Sequence, residues 1–79
     1  MQLPPNYRVK PEDVSFAWEA YFVRQDATKE ELAIADTIFD AEELFRQTGV
    51  WPTLAEADAH GWKKADAYWQ KHFGKDAPR

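Results

Sequence analysis

The chain has 79 residues, enough for one small domain with a thin stability margin, and its 44% apolar and 15% aromatic residues can build a core. The absence of cysteine excludes disulfide bonds, thiolate metal sites and cysteine nucleophiles. The net charge of −4 is concentrated in residues 28–49, where six acids accompany two bases, and it argues against a nucleic-acid partner.

The first ten residues predict an extended N-terminal arm. A Pro-Pro pair at positions 4 and 5 favours an extended, polyproline-like backbone. Leu3, Tyr7 and Val9 are the apolar side chains that could hold this arm against the rest of the domain. A frayed terminus is the alternative.

A first helix is predicted over residues 11–26. Pro11 suits a first helical turn, and two acids follow it where the helix dipole favours negative charge. The apolar residues between Phe16 and Phe22 also alternate as in a strand, but the Pro-Glu-Asp start favours a helix.

A second helix is predicted over residues 29–48. Thr28 and Glu31 form a capping box at its start, and Gly49 supplies a left-handed residue after its end. One stripe of this helix is apolar and consists of Ile34, Ile38, Ala41 and Phe45.

A third helix is predicted over residues 54–73, between a capping box of Thr53 with Glu56 and a terminal Gly74. Small residues recur every fourth position along it, at Ala57, Gly61 and Ala65. This spacing predicts a close-packing seam, at which another backbone can approach. A break or kink at Gly61 is the alternative, because glycine inside a helix costs about 1 kcal/mol relative to alanine.

These elements predict an all-α fold: a compact three-helix bundle at residues 11–74, with the extended arm at 1–10 and a C-terminal tail at 75–79. The short connection between the second and third helices favours an antiparallel arrangement. We expect most of the core to be formed by Trp18, Tyr21, Ile34, Ile38, Phe45, Leu54, Ala65 and Trp69.

The sequence predicts no catalytic residue, no metal site and no cofactor, and therefore no enzyme. His60 and His72 lie about 120° apart on a helical wheel, so they cannot share a metal ion, and we expect His60 at the surface and His72 half-buried. Three acids of the second helix form a ridge that we expect to be convex and to face water: Asp36, Asp40 and Glu43. This acidic ridge is either an ordinary solvated surface or a contact for a basic patch on a partner.

The first helix is apolar around most of its circumference, more than two neighbouring helices can cover. The arm, a second copy of the chain or another protein could cover the surplus. An exposed patch of this kind is typical of a binding site. The residues that we expect to bind a partner are Phe16, Glu19, Ala20, Phe22 and Val23, together with Asp36, Asp40 and Glu43.

The leading hypothesis is therefore a small, acidic, non-enzymatic protein-binding module that docks on a larger protein as an inhibitor or adaptor, in the manner of phage or mobile-element proteins. The first alternative is a self-associating structural protein, such as a homodimer. The second is a helix-turn-helix DNA-binding protein, suggested by Lys63, Lys64 and Lys71 beside Trp62, Tyr68 and Trp69. Without cysteine, a basic-apolar leader or a long apolar run, the chain is expected to be cytoplasmic (in the host if phage-encoded) and not to contact a membrane.

Overall fold

The computed structural model describes residues 3–79 and shows an all-α three-helix bundle, which confirms the predicted fold class. The helices are α1 (Pro11–Phe22), α2 (Lys29–Thr48) and α3 (Leu54–Phe73). Met1 and Gln2, the first residues of the predicted arm, lie outside the described part. α2 occupies the centre, since α1 and α3 both pack on it and, within residues 3–79, make no close backbone contact with each other.

The predicted boundaries of α2 and α3 are confirmed, and their caps explain them. The hydroxyl of Thr28 accepts a hydrogen bond from the amide of Glu31 at 3.1 Å, and Thr53 accepts one from Glu56 at 3.2 Å. In both pairs the glutamate carboxylate accepts a hydrogen bond from the threonine amide, which completes a capping box. The C-terminal glycines have left-handed φ angles of 80° and 72°, at Gly49 and Gly74 respectively.

The first helix ends at Phe22, four residues before the predicted end at Asp26. The amides of Val23 and Arg24 both donate to the carbonyl of Glu19, at 3.0 and 2.8 Å, so the regular ladder of hydrogen bonds stops there. The guanidinium of Arg24 then pairs with Glu31 in the first turn of α2, at 2.6 and 3.2 Å. This pairing secures the turn between the two helices.

The core is built from small residues more than from large ones. Its buried members are Val9, Ala17, Ala20, Ala35, Ile38, Ala41 and Ala57. Of the predicted core, Ile38 is buried, whereas Ile34, Phe45, Leu54, Ala65 and Trp69 are half-buried. The prediction for Trp18 and Tyr21 was wrong because both are exposed. Alanines fill the α1–α2 contact, so the helices approach closely and the larger rings of α1 are left at its rim.

The described part of the N-terminal arm, from Leu3 onward, lies against the start of α3. The amide of Val9 donates to the carbonyl of Pro52 at 3.0 Å, and the carbonyl of Tyr7 accepts from the amide of Leu54 at 2.9 Å. The carbonyl of Pro5 accepts from the next amide of α3, also at 2.9 Å. The arm therefore satisfies backbone donors that the first turn of a helix leaves unpaired.

The C-terminal tail also folds back, onto the outer side of α3. The amide of Ala77 donates to Asp66 at 3.1 Å, and the guanidinium of Arg79 donates to both oxygens of the same carboxylate at 3.0 and 2.8 Å. Arg79 also lies 4.4 Å from the ring centre of Trp62. The tail thus places a cation over the ring of Trp62 on α3.

Candidate protein-docking site

Four aromatic rings form an aromatic patch across α1 and α2: Trp18, Tyr21, Phe22 and Phe39. The ring centres of Trp18 and Phe22 are 4.6 Å apart, and Phe39 lies 6.3 Å from Trp18 and 5.7 Å from Tyr21. Trp18 is 55% exposed and Phe22 is 66% exposed. The patch continues along the chain into Val23, which is 71% exposed.

Helical geometry explains why these rings lie at the surface. Ala20 is buried against α2, and Trp18 and Phe22 are each two residues away from it. At 100° per residue, both rings point about 160° away from Ala20 around the helix. Tyr21 is one residue away from Ala20, so it lies at the edge and reaches Phe39 of α2.

The structure divides the predicted docking residues of α1 into two sets. Phe22, Val23 and Glu19 are exposed, whereas Ala20 is buried and Phe16 is half-buried against the core. The expectation of an outward-facing surface was therefore wrong for Phe16 and Ala20, because α2 and the arm cover that side of the helix. Trp18 and Tyr21, which the sequence analysis had assigned to the core, are exposed in their place.

A signal for this exchange was present in the sequence. Ala17 and Ala20 are three positions apart and therefore mark one side of α1, the side on which a neighbour can pack closely. Interpreting them as a contact seam, as was done for the small residues of α3, places Trp18 and Phe22 on the opposite side.

The acidic ridge of α2 does not face water as one convex surface, contrary to expectation. Asp36 accepts a hydrogen bond from the hydroxyl of Tyr21 at 2.5 Å, which ties it to α1 and raises the pKa of that hydroxyl. Asp40 and Glu43 instead turn to α3, where each lies 3.0 Å from the ammonium of Lys64. One acid of the ridge thus contacts α1, and the other two contact α3.

His60 is part of this α2–α3 contact and not of the surface. Its Nε2 lies 2.9 Å from the carboxylate of Glu43, and its side chain is only 15% exposed. The hydrogen bond with His60, followed by that with Lys64, holds the pKa of Glu43 below its ordinary value. The bond to Asp40 raises the pKa of Lys64. His72, predicted to be half-buried, is exposed, and its ring centre lies 4.3 Å from that of Tyr68 with the two rings tilted.

The predicted close-packing seam of α3 is present, but at Gly61 the neighbour that approaches is the side chain of Asp40 and not a backbone. Ala57 is buried, and α3 continues through Gly61 without a break to Phe73, so the single-helix interpretation is confirmed. A Cβ at position 61 would lie 3.2 Å from the Cγ of Asp40 and overlap its Oδ2. Ala65, the third member, is half-buried.

A cleft of about 870 Å³ lies between the arm, α1 and α2. Its apolar lining includes Leu3, Phe16 and Ile34. Two carboxylates at its edge are already engaged: Asp13 accepts from the Tyr7 hydroxyl at 2.8 Å, and Glu31 binds Arg24. The edge of the cleft is therefore part of the structure that holds the arm and the α1–α2 turn.

Several side chains with acid–base or metal-binding capacity are paired with one another, among them Glu43 with His60 and Glu31 with Arg24. Within residues 3–79, no group of three or more histidines, aspartates and glutamates has the geometry of a metal site. In the same range, no deeply buried side-chain nitrogen or oxygen lacks a hydrogen-bond partner. The lowered carboxylate pKa values arise from ion pairs and cap hydrogen bonds, as at Glu31, Glu43 and Asp66.

Comparison with known proteins gave no match, either with protein-family models, with curated proteins or with solved structures. None of the helices described between residues 3 and 79 combines the length and apolarity needed to cross a bilayer. The aromatic patch is accordingly characterised by its geometry alone: two exposed rings at the end of α1, Tyr21 and Phe22, a tryptophan one turn before them and one supporting ring from α2, followed in the chain by the exposed Val23.

Proposed function

We propose that the protein is a non-enzymatic binding module that docks its aromatic patch, together with Val23, on a larger protein. The observation that carries this proposal is the exposure of Trp18 and Phe22, neighbouring residues with tilted rings that are more than half exposed although α1 is packed on α2. Exposed apolar patches on small domains are typical of interaction sites, and tryptophan and tyrosine are enriched among the residues that dominate binding energies.

The rigidity of the patch favours the same use. Phe39 supports two of its rings from below, and the hydroxyl of Tyr21 is fixed by Asp36. Side chains that are already held in place lose less conformational entropy on binding. An inhibitor or adaptor role of phage or mobile-element type stays a prediction of the sequence analysis.

The proposal is tested by removing exposed apolar atoms from α1 and measuring capture of proteins from the native host. Phe22→Ser with Val23→Ser should abolish specific capture while circular dichroism retains the helical signal. Val50→Ser is the matched control, because Val50 is also exposed, at 63%, but lies in the α2–α3 connection away from the patch. Equal capture by the wild type and the double variant would refute docking through α1.

Self-association is the second candidate, and the exposed patch supports it as well. Light scattering distinguishes the two: a monomer at micromolar concentration removes self-association, and a stable dimer that Phe22→Ser dissociates would favour it. DNA binding has less support, because Lys64 is already paired with Asp40 and Glu43. Filter binding at low salt without retention of DNA would dispose of it.

A further inference from the structure

Carboxylates border the aromatic patch on both sides. Glu19 lies three residues before Phe22, which makes the two side chains neighbours on the surface of α1. On the other side, Asp36 is bound to Tyr21 within the patch itself. Both acids are exposed, and within residues 3–79 neither takes part in a salt bridge.

The partner of Asp36 at the patch is a neutral hydroxyl and not a cation. The Tyr21 hydroxyl donates a hydrogen bond to a carboxylate oxygen of Asp36, and this hydrogen bond raises the pKa of Tyr21. Within residues 3–79, the patch therefore has a carboxylate outside any salt bridge at each edge, Glu19 on one side and Asp36 on the other.

From this arrangement we infer that the occupant of the aromatic patch is a basic amphipathic segment of a partner protein, in which arginine or lysine side chains flank an apolar anchor. The inference rests on the proposed docking function and adds the chemical class of the partner. An arginine can lie on an exposed Trp or Phe ring while its guanidinium reaches a carboxylate at the edge. Glu19 and Asp36 offer that carboxylate on each side of the Trp18–Phe22 pair.

A second copy of the chain fits this surface less well. A two-fold contact through the patch would bring Glu19 and Asp36 close to the same acids of the other copy, where like charges repel. A contact of the patch with the lysines of α3, such as Lys63 and Lys71, would pair opposite charges. Such a head-to-tail contact leaves one free surface at each end, and it forms open chains unless its rotation closes a ring.

The test uses two synthetic 18-residue amphipathic helices that differ in charge alone. Both have leucine and phenylalanine on one side; the other side carries arginine in the first peptide and glutamate in the second. Binding to the full chain is measured by NMR titration at low ionic strength. We expect the arginine peptide to shift the resonances of Trp18, Tyr21 and Phe22 and to bind at least tenfold more tightly than the glutamate peptide.

The matched variant is Glu19→Gln with Asp36→Asn, which removes both charges and keeps an acceptor for the Tyr21 hydroxyl. It should weaken binding of the arginine peptide roughly two- to thirtyfold, because it removes two exposed ion pairs that contribute about 0.2–1 kcal/mol each, and it should leave the glutamate peptide no weaker. Raising the salt concentration should reduce the difference in affinity between the arginine and glutamate peptides for the wild type.

The outcomes separate the inference from the proposed function. Equal affinity for both peptides at the patch would overturn the choice of a basic partner and leave docking intact. If neither peptide shifts the resonances of the patch, both the inference of a basic partner and the proposed docking function are overturned. A chain that associates with itself in the absence of peptide, and monomerises in the Phe22→Ser variant, would assign the patch to a second copy and overturn the inference.

Discussion

The carboxylate of Asp40 on α2 occupies the space into which a side chain at position 61 of α3 would project. A Cβ on Gly61 would lie 3.2 Å from the Cγ of Asp40 and overlap Oδ2. Asp40 is held there by Lys64, one turn further along α3, at 3.0 Å. Glycine at this position thus leaves room for a polar contact between the two helices, even though glycine is unfavourable inside a helix.

Gly61→Leu is therefore expected to lower the free energy of unfolding by about 1–3 kcal/mol, the usual range for overpacking a filled site. The larger side chain must displace Asp40 from Lys64 or move the helices apart. Urea denaturation followed by circular dichroism measures the change. A gain in stability would show that position 61 is only a weak point of an exposed helix.

Asp40→Ala provides the matched background for this test. With the carboxylate removed, Gly61→Ala should raise the free energy of unfolding by about 1 kcal/mol, which is the difference in helix propensity between the two residues. In the wild-type background the same substitution should gain less, because it disturbs Asp40. Identical gains in both backgrounds would contradict the contact.

Two valines test whether the N-terminal arm contributes to stability. Val9 is 1% exposed in the core, whereas Val50 is 63% exposed. Val9→Ala should cost about 2 kcal/mol through lost burial and the cavity that remains, and Val50→Ala should change stability by less than about 0.5 kcal/mol. Equal effects in thermal or urea unfolding would mean that the arm does not pack on the bundle in solution.

The turn between α1 and α2 predicts a dependence of stability on pH. The hydrogen bonds from Arg24, followed by those at the helix cap, lower the pKa of Glu31 from an ordinary value of 4.5 to about 2. Because the folded pKa is the lower one, this contribution is fully present above about pH 5 and is lost as the pH falls from 4.5 towards 2.

Glu31→Gln isolates that contribution. Glutamine can still occupy the capping box, but it removes the charge that Arg24 binds. The variant should be less stable than the wild type at pH 7, and the difference between them should shrink as the pH approaches 2. Urea unfolding at a series of pH values measures it; a difference that is constant with pH would contradict the assignment to this ion pair.

The local signals in the sequence were sufficient for the helices, while the orientation of α1 needed the structure. The boxes at Thr28 and Thr53 and the glycines at 49 and 74 correctly delimit α2 and α3, because caps act over a few residues. The early end of α1 depends on Arg24 reaching Glu31 on another helix. A contact of this kind leaves no local pattern.

The exposed apolar surface of α1 was predicted in its location and partly in its residues, and its use for docking stays a prediction. An excess of apolar surface on α1 was correctly expected, and Phe22 and Val23 are exposed. The predicted docking side of α1 was wrong at Phe16 and Ala20, because the sequence analysis took large side chains as the ones that would be buried. In this fold the contact is made by alanines, and the large rings of Trp18 and Tyr21 remain outside. Two acids of the ridge, Asp40 and Glu43, form ion pairs with Lys64 of α3. The periodicity of α2 alone could not reveal these pairs.

The central claim is that Trp18 is exposed in the free chain and becomes covered when the patch is occupied. Photochemically induced dynamic nuclear polarisation, an NMR measurement that enhances solvent-accessible aromatic side chains, tests it most directly, with the Trp18 signal assigned by its loss in Trp18→Phe. We predict a strong enhancement of Trp18 in the free monomer and its suppression when the arginine peptide binds. No enhancement in the free monomer, or an enhancement that bound peptide leaves unchanged, would contradict the account.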